Sequence, residues 1–133
     1  MDDYWRLRPC APQDGARLGP LAELEQDSAR EYVFGGGPSA FRMFIVRHGD
    51  AIHAYLNLCP HASLPLNCGS NDFLSPDRQT LICRRHFAQF DIREGICVAG
   101  ACVGSRLDRI PVYIDSDNCL RVGQSDRASP AAQ

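Results

Sequence analysis

Two short motifs in the middle of the chain each pair a cysteine with a histidine. The first is Cys59-Pro60-His61 and the second is Cys83-Arg84-Arg85-His86, and 21 residues separate His61 from Cys83. Thiolate sulfur and imidazole nitrogen are ligand atoms of zinc sites and of iron–sulfur centres. Both motifs fall where a predicted strand ends and a loop begins, so the side chains can converge. We expect Cys59, His61, Cys83 and His86 to bind metal.

The distribution of ligand types between the motifs distinguishes two kinds of metal site. A structural zinc site with two cysteines and two histidines usually takes both cysteines from one segment and both histidines from another. Here each motif supplies one of each type. This suits two adjacent irons, one held by Cys59 and Cys83 and the other by His61 and His86, with bridging sulfides. The pattern favours a [2Fe–2S] cluster, with a structural zinc module as the alternative.

The pattern C-x-H followed by C-x-x-H, together with its flanks, resembles the Rieske iron–sulfur family from about Tyr4 to Val122. The similar flanks are Asn57-Leu58, Leu64-Pro65-Leu66, Leu81-Ile82, Phe90, and residues 95–100 with Leu107. The resemblance implies an all-β fold, a Rieske-like small domain of stacked antiparallel sheets with two cluster-binding loops. It also implies one [2Fe–2S] cluster as the cofactor, bound by the four motif residues.

Histidine ligation sets the charge and the reduction potential of such a cluster. Two ferric ions, two sulfides, two thiolates and two neutral imidazoles sum to zero, so the oxidised cluster accepts an electron more easily than a four-cysteine cluster does. The class spans roughly −150 to +300 mV. High-potential relatives place hydroxyl donors where this chain has Ala88 and Phe90, which have none. We expect a potential in the low half of the range, typical of ferredoxins that serve oxygenases.

Three features depart from the family pattern or leave a role open. Arg84 and Arg85 stand where proline and a bulky apolar residue are usual, and Phe87 stands where glycine is usual. The two arginines either steer an acidic partner and favour the reduced state modestly, or form a solvated surface pair. Cys97 and Cys102 either close a disulfide or supply two small buried side chains.

Short segments rich in aromatic and β-branched residues alternate with turn residues, which is typical of an all-β protein. Residues 41–47 and 51–58 predict one hairpin, and residues 110–114 and 119–122 predict another around the turn at 115–118. Further strand candidates are residues 79–83 and 90–92, and residues 18–26 predict one short helical turn. We expect a single Rieske domain over residues 1–123 and a disordered tail over residues 124–133.

Composition and charge narrow the function classes. A net charge of −2 gives no basic face for nucleic acid. The longest apolar run, residues 43–46, is far below the ~20 residues of a membrane span. The acidic, polar N-terminus does not resemble a signal peptide, so we expect a cytoplasmic protein without membrane contact. Seven cysteines in such a chain favour metal binding over a disulfide framework.

The length of the chain separates electron transfer from catalysis. Rieske oxygenases add a large domain with a mononuclear iron, and 133 residues leave no room for one. We therefore expect a non-enzymatic soluble carrier that passes single electrons between a reductase and an oxygenase-type or similar acceptor. Its partners would be redox proteins, with no small-molecule substrate. An accessory or regulatory subunit of a larger reductase, similar to the small subunit of nitrite reductase, is the second interpretation.

Overall fold

Nine short strands form the framework of the protein in a computed structural model, which describes residues 4–49, 51–58, 66, 73–83, 87–100 and 103–123. The strands are β1 Arg17–Pro20, β2 Ser28–Phe34, β3 Phe41–His48, β4 Ala51–Leu56, β5 Thr80–Ile82, β6 Gln89–Asp91, β7 Cys97–Ala99, β8 Val112–Ile114 and β9 Cys119–Val122. Single 3-10 turns occur at Tyr4–Leu7, Leu21–Glu23 and Gly37–Ser39, and these described ranges contain no α-helix. The all-β prediction is confirmed.

The strands pair into three antiparallel sheets of three strands each. Their orders are β1-β9-β8, β2-β3-β4 and β5-β6-β7, which we call the first, middle and third sheets. The middle sheet has the longest pairing, since β2 pairs with β3 over seven residues and β4 pairs with β3 over six. The prediction of stacked antiparallel sheets is therefore also confirmed.

Strand β3 is buried on both of its faces, with four consecutive buried residues from Met43 to Val46. Because successive strand side chains point to opposite faces, β3 contributes to two separate apolar clusters. Met43 and Ile45 belong to a base core with Phe41, Trp5, Leu24, Ala54, Leu56, Ile110, Leu120 and Val122. Phe44 and Val46 belong to a loop core with Tyr55, Leu66, Phe73, Leu74, Leu81, Cys83, Ala88, Phe90, Ile92, Cys97 and Leu107. The middle sheet thus lies between the other two.

One end of the third sheet gathers the ends of the predicted ligand loops. Ile82 at the end of β5 pairs with Gln89 at the start of β6, and Gln89 pairs with Ala99 at the end of β7. The Ile82 amide donates to the carbonyl of Phe73 at 2.8 Å, which brings the return of the first loop to the same place. We call this the loop end of the sheet.

The opposite end of the third sheet is anchored to the middle sheet by Tyr55. Its buried hydroxyl donates to the carbonyl of Ile92 at 2.6 Å, and burial raises the pKa of this phenol above its ordinary value. Gly95, at φ +73°, lies so close that an added Cβ would be 2.7 Å from the Tyr55 ring. The turn between β6 and β7 therefore needs glycine for its backbone and for its contact.

The region before residue 41 is where the sequence prediction is wrong. The expected helical turn over residues 18–26 is reduced to the 3-10 turn Leu21–Glu23, because residues 17–20 form β1 against β9. Strand β2 was not predicted, since Arg30 and Glu31 interrupt its apolar pattern. Strand β2 is nevertheless formed, because all seven of its residues pair with β3. The hairpins of residues 41–56 and 112–122 agree with prediction within a few residues.

Replacing Gly95 by alanine tests this anchor. We expect Gly95→Ala to cost about 2–4 kcal/mol, because left-handed strain adds to overlap with the Tyr55 ring. Gly49→Ala is the control, since Gly49 has φ +62° but nothing within 4 Å of an added Cβ, and we expect about 1 kcal/mol. Thermal unfolding followed by circular dichroism measures both losses. Equal losses would show that contact with Tyr55 contributes nothing.

Candidate metal centre

Cys83 is the predicted ligand that the structure describes, and it lies at the loop end of the third sheet. Its side chain is fully buried in the loop core. The Cys83 amide donates to the carbonyl of Ala88 at 2.9 Å, and the Phe87 amide donates to the carbonyl of Cys83 at 2.7 Å. These two hydrogen bonds join the chain on either side of residues 84–86. The two bonds therefore hold residues 87 and 88 next to Cys83.

Cys59, His61 and His86 lie outside the described residues, as do Arg84 and Arg85. Within the described ranges, no group of three or more His, Cys, Asp or Glu side chains is placed to hold a metal ion. What the described residues do bring together is the surroundings of the two motifs, because Leu66 from the first loop and Cys83 are both buried in the loop core. The four-residue ligand set stays a prediction.

The surroundings of Cys83 fit a [2Fe–2S] cluster with mixed ligands. Among the described residues no charged side chain is buried, and burying a lone thiolate beside the loop core would be costly. Two thiolates are neutralised by the iron–sulfide core when the other two ligands are imidazoles, so the oxidised site carries no net charge. Ala88 and Phe90 are both buried beside Cys83 and have no hydroxyl. The site is thus suited to a neutral cluster with few hydrogen-bond donors.

Asn57 connects the first loop to the middle sheet. This buried residue lies two positions before Cys59, and its side-chain oxygen accepts a hydrogen bond from the Leu66 amide at 2.7 Å. Its side-chain amide donates to the Glu31 carboxylate on β2 at 2.8 Å. Residues 57 and 66 bracket Cys59 and His61, so one side chain ties together the start and the later part of the first ligand loop. We call Asn57 and Glu31 the loop clamp.

The loop clamp is itself fixed from the middle sheet. The Arg42 guanidinium on β3 contacts the same carboxylate oxygen of Glu31 at 3.1 Å. The backbone amide of Asn57 donates to the backbone carbonyl of Arg42 at 2.9 Å. The sequence marked Asn57 as a familiar flank of the motif but gave it no role. Glu31 had no signal at all, because 26 positions separate it from Asn57 and only the sheet brings the two together.

Two further histidines and Cys97 lie among the described residues, outside the four predicted ligands. His48 and His53 lie on the β3–β4 hairpin, and the Nδ1 atom of His48 is 3.6 Å from an Asp27 carboxylate oxygen. Burial, with Arg109 as the next cause, lowers the pKa of His53. Cys97 on β7 is buried, and its sulfur donates to the Ala99 carbonyl at 3.3 Å. Cys102 lies outside the described residues, and with it the choice between a disulfide and two small buried side chains.

A scan against protein families gives the class of this domain. The family model described as Rieske [2Fe-2S] domain matches residues 16–113, which is most of the chain. The chain belongs to the Rieske [2Fe–2S] domain family, and its cofactor is one [2Fe–2S] cluster. No curated protein sequence matches it significantly.

Solved structures of ferredoxins share the fold. The ferredoxin of carbazole 1,9a-dioxygenase from Nocardioides aromaticivorans IC177 is 25% identical with a TM-score of 0.65, and the match covers 84% of this chain and 98% of that one. A Sphingomonas yanoikuyae B1 ferredoxin is 21% identical with a TM-score of 0.61, over 84% and 99% of the two chains. A chain in a complex of reduced oxygenase and oxidized ferredoxin in carbazole 1,9a-dioxygenase is 18% identical with a TM-score of 0.64, over 85% and 96%.

A hydroxyl at position 90 tests the low-potential prediction. Phe90→Tyr would place a donor in the loop core beside Cys83 and stabilise the reduced cluster by hydrogen bonding. We expect the midpoint potential to rise by roughly 50 mV, which corresponds to about 1.2 kcal/mol for one electron. An optical redox titration of both proteins measures the shift. Phe73→Tyr, in the same core but on the first loop's return, controls for a general effect of added polarity. An unchanged midpoint potential in Phe90→Tyr would contradict the idea that the missing hydroxyl at position 90 lowers the potential.

Removal of the loop clamp tests its link to the cluster. In Asn57→Ala the buried Leu66 amide and Glu31 each lose a partner, at a cost of about 2–3 kcal/mol, and we expect iron and acid-labile sulfide per chain to fall. Ser75→Ala is the control, since the described side-chain bonds of buried Ser75 are to Asp77 and Thr80. It should lose stability and keep its iron. Wild-type iron content in Asn57→Ala would show that the clamp does not serve the cluster.

Proposed function

We propose that this protein is a soluble, cytoplasmic carrier of single electrons whose cluster is bound by Cys59, His61, Cys83 and His86. It receives an electron from a reductase and passes it to an oxygenase. It catalyses no oxygenation itself and has redox proteins rather than small molecules as partners. The proposed Rieske domain is residues 1–123, and the predicted tail, residues 124–133, lies outside the described residues.

The observation that carries this proposal is a Rieske domain that matches two ferredoxins over nearly the whole of their length. The match to the Nocardioides ferredoxin covers 98% of that chain, and that protein is the ferredoxin of carbazole 1,9a-dioxygenase. A domain that matches a ferredoxin over nearly its whole length uses its fold to bind the cluster. The described residues contain no helix with the length and hydropathy of a membrane span. These findings favour a carrier that docks to partners over a subunit built into a larger enzyme.

The residues of the chain position the redox group and insulate one side of it. The cluster supplies reversible storage of one electron when bound. The loop core excludes water from the Cys83 side, and the two hydrogen bonds between Cys83 and residues 87 and 88 fix the second loop. The loop clamp fixes the first loop.

Exchange of a single ligand tests the proposed coordination. In His86→Cys a thiolate replaces a neutral imidazole and adds one negative charge, so we expect the midpoint potential to fall by roughly 100 mV or more, or the cluster to be lost. The control is His48→Cys, because His48 lies on the β3–β4 hairpin, and it should leave the potential unchanged. Redox titration and EPR spectroscopy of the reduced proteins measure both. A wild-type spectrum and potential in His86→Cys would refute the ligand assignment.

Transfer of electrons to an oxygenase tests the function itself. The purified protein should be reddish-brown and contain two irons and two acid-labile sulfides per chain. Added to a reductase and an oxygenase from the same source organism, it should restore turnover that is absent without it. Stable co-purification with one large reductase would instead support an accessory subunit. A metal analysis that finds zinc and no acid-labile sulfide would refute the proposal.

A further inference from the structure

A pocket of about 390 Å³ lies where the N-terminal segment meets the middle sheet. Residues 8–9, 37–42 and 56–58 line it, and none of these described lining residues belongs to the third sheet or to the loop core. Small-molecule sites have volumes of roughly 300–1,000 Å³. The pocket is therefore large enough for a small organic molecule, and its lining is separate from the core around Cys83.

Hydrogen-bonded turns fix two walls of the pocket. The Arg8 amide donates to the carbonyl of Trp5 at 3.2 Å, and the Trp5 ring packs on Phe41 with ring centroids 6.0 Å apart. On the other wall, a hydrogen bond closes the 3-10 turn Gly37–Ser39, in which Pro38 has a restricted φ. Walls that are already ordered lose little conformational entropy when a ligand binds. The pocket is thus formed before a ligand enters.

One part of the lining is apolar. Phe41 and Leu56 are members of the base core, and Leu58 packs against that core. Pro9 and Pro38 also line the pocket. The side chains of these five residues have no hydrogen-bond donor or acceptor, so they favour contact with a hydrocarbon group.

Two arginines, Arg8 and Arg42, supply the charge of the pocket, and its described lining includes no aspartate or glutamate. Arg42 contacts the Glu31 carboxylate through Nη1 at 3.1 Å, which leaves the donors on Nε and Nη2 for a second acceptor. Within the described part of the chain, none of the ion pairs involves Arg8. The described carboxylates therefore leave positive charge in the pocket, and this charge favours an anion.

We propose that this pocket binds a small organic carboxylate, with the carboxylate group against Arg8 and Arg42 and the apolar body against Phe41 and Pro38. Guanidinium groups recognise carboxylates through paired, charge-assisted hydrogen bonds. The apolar walls favour a ring or a short hydrocarbon chain over a bare inorganic anion. The site goes beyond the electron-carrier function and does not depend on it, because its described lining lies outside the loop core.

Titration of the oxidised, cluster-containing protein with three probes tests the site. Benzoate has a carboxylate and an apolar ring, benzamide has the ring without the charge, and acetate has the charge without the ring. We expect benzoate to bind with a Kd of about 1 mM, and benzamide and acetate to bind about tenfold more weakly or less. Two-dimensional NMR measures the affinity and the location, through the amide signals of Arg8, Ser39 and Ala40.

Three variants assign the binding to the pocket. Arg8→Gln should weaken benzoate binding about tenfold, and Arg8→Lys should lie between the two, because lysine keeps the charge and loses the planar pair of donors. Arg93→Gln is the control, since Arg93 is exposed between β6 and β7 and its loss changes the net charge equally. It should bind benzoate as the parent does. All three variants should keep the melting temperature and the visible spectrum of the parent.

The outcomes that overturn the site are distinct from those that concern electron transfer. Benzamide or acetate binding as tightly as benzoate would overturn it, and so would undiminished benzoate binding in Arg8→Gln. An equal loss in Arg93→Gln would show a general effect of net charge, and shifts centred on other residues would place the ligand elsewhere. Either result also overturns the pocket, as does the absence of any shift. The electron-carrier proposal is judged separately, by cluster content and by transfer to an oxygenase.

Discussion

The burial of strand β3 on both faces is the constraint on which the rest of this structure depends. Four consecutive buried residues supply Phe44 and Val46 to one apolar cluster and Met43 and Ile45 to the other. Phe44 stacks on Phe73, the residue that ends the first loop, with ring centroids 4.4 Å apart. A strand of this kind cannot shift by one residue, because a shift would exchange its two faces. The position of the loops is thereby fixed relative to the middle sheet.

Hydrogen bonds then fix the loops and sheets that apolar packing has brought together. Asn57, Glu31 and Arg42 form a chain of hydrogen bonds from the first loop to β2 and β3. Asn57 is the buried member of this chain, and a buried polar group that is paired disfavours other arrangements, since they would leave a donor or an acceptor unsatisfied. Tyr55 does the same at the far end of the third sheet through Ile92. The third sheet is therefore fixed at one end by an aromatic hydroxyl, while the loop clamp fixes the loop that returns to its other end.

The interior and the surface of the loop end have opposite characters. Inside, the loop core has no charge and no hydroxyl donor at positions 88 and 90, which suits a cluster with no net charge when oxidised. Outside, Phe87 is mostly exposed although Cys83, to which its amide donates, is fully buried.

The sequence by itself determined the all-β class, the hairpins of β3–β4 and β8–β9, the family, and the cofactor. Those conclusions came from local patterns: alternation of side chains, turn residues, and the spacing of cysteine and histidine. Strands β1, β2 and β7 and the loop clamp were decided by tertiary structure. The charged residues Arg30 and Glu31 conceal β2 in the sequence, and Glu31 meets Asn57 only across the sheet. The positive φ of Phe87 is also decided by tertiary structure. Phenylalanine does not favour this conformation, and the hydrogen bonds between Cys83 and residues 87 and 88 hold it.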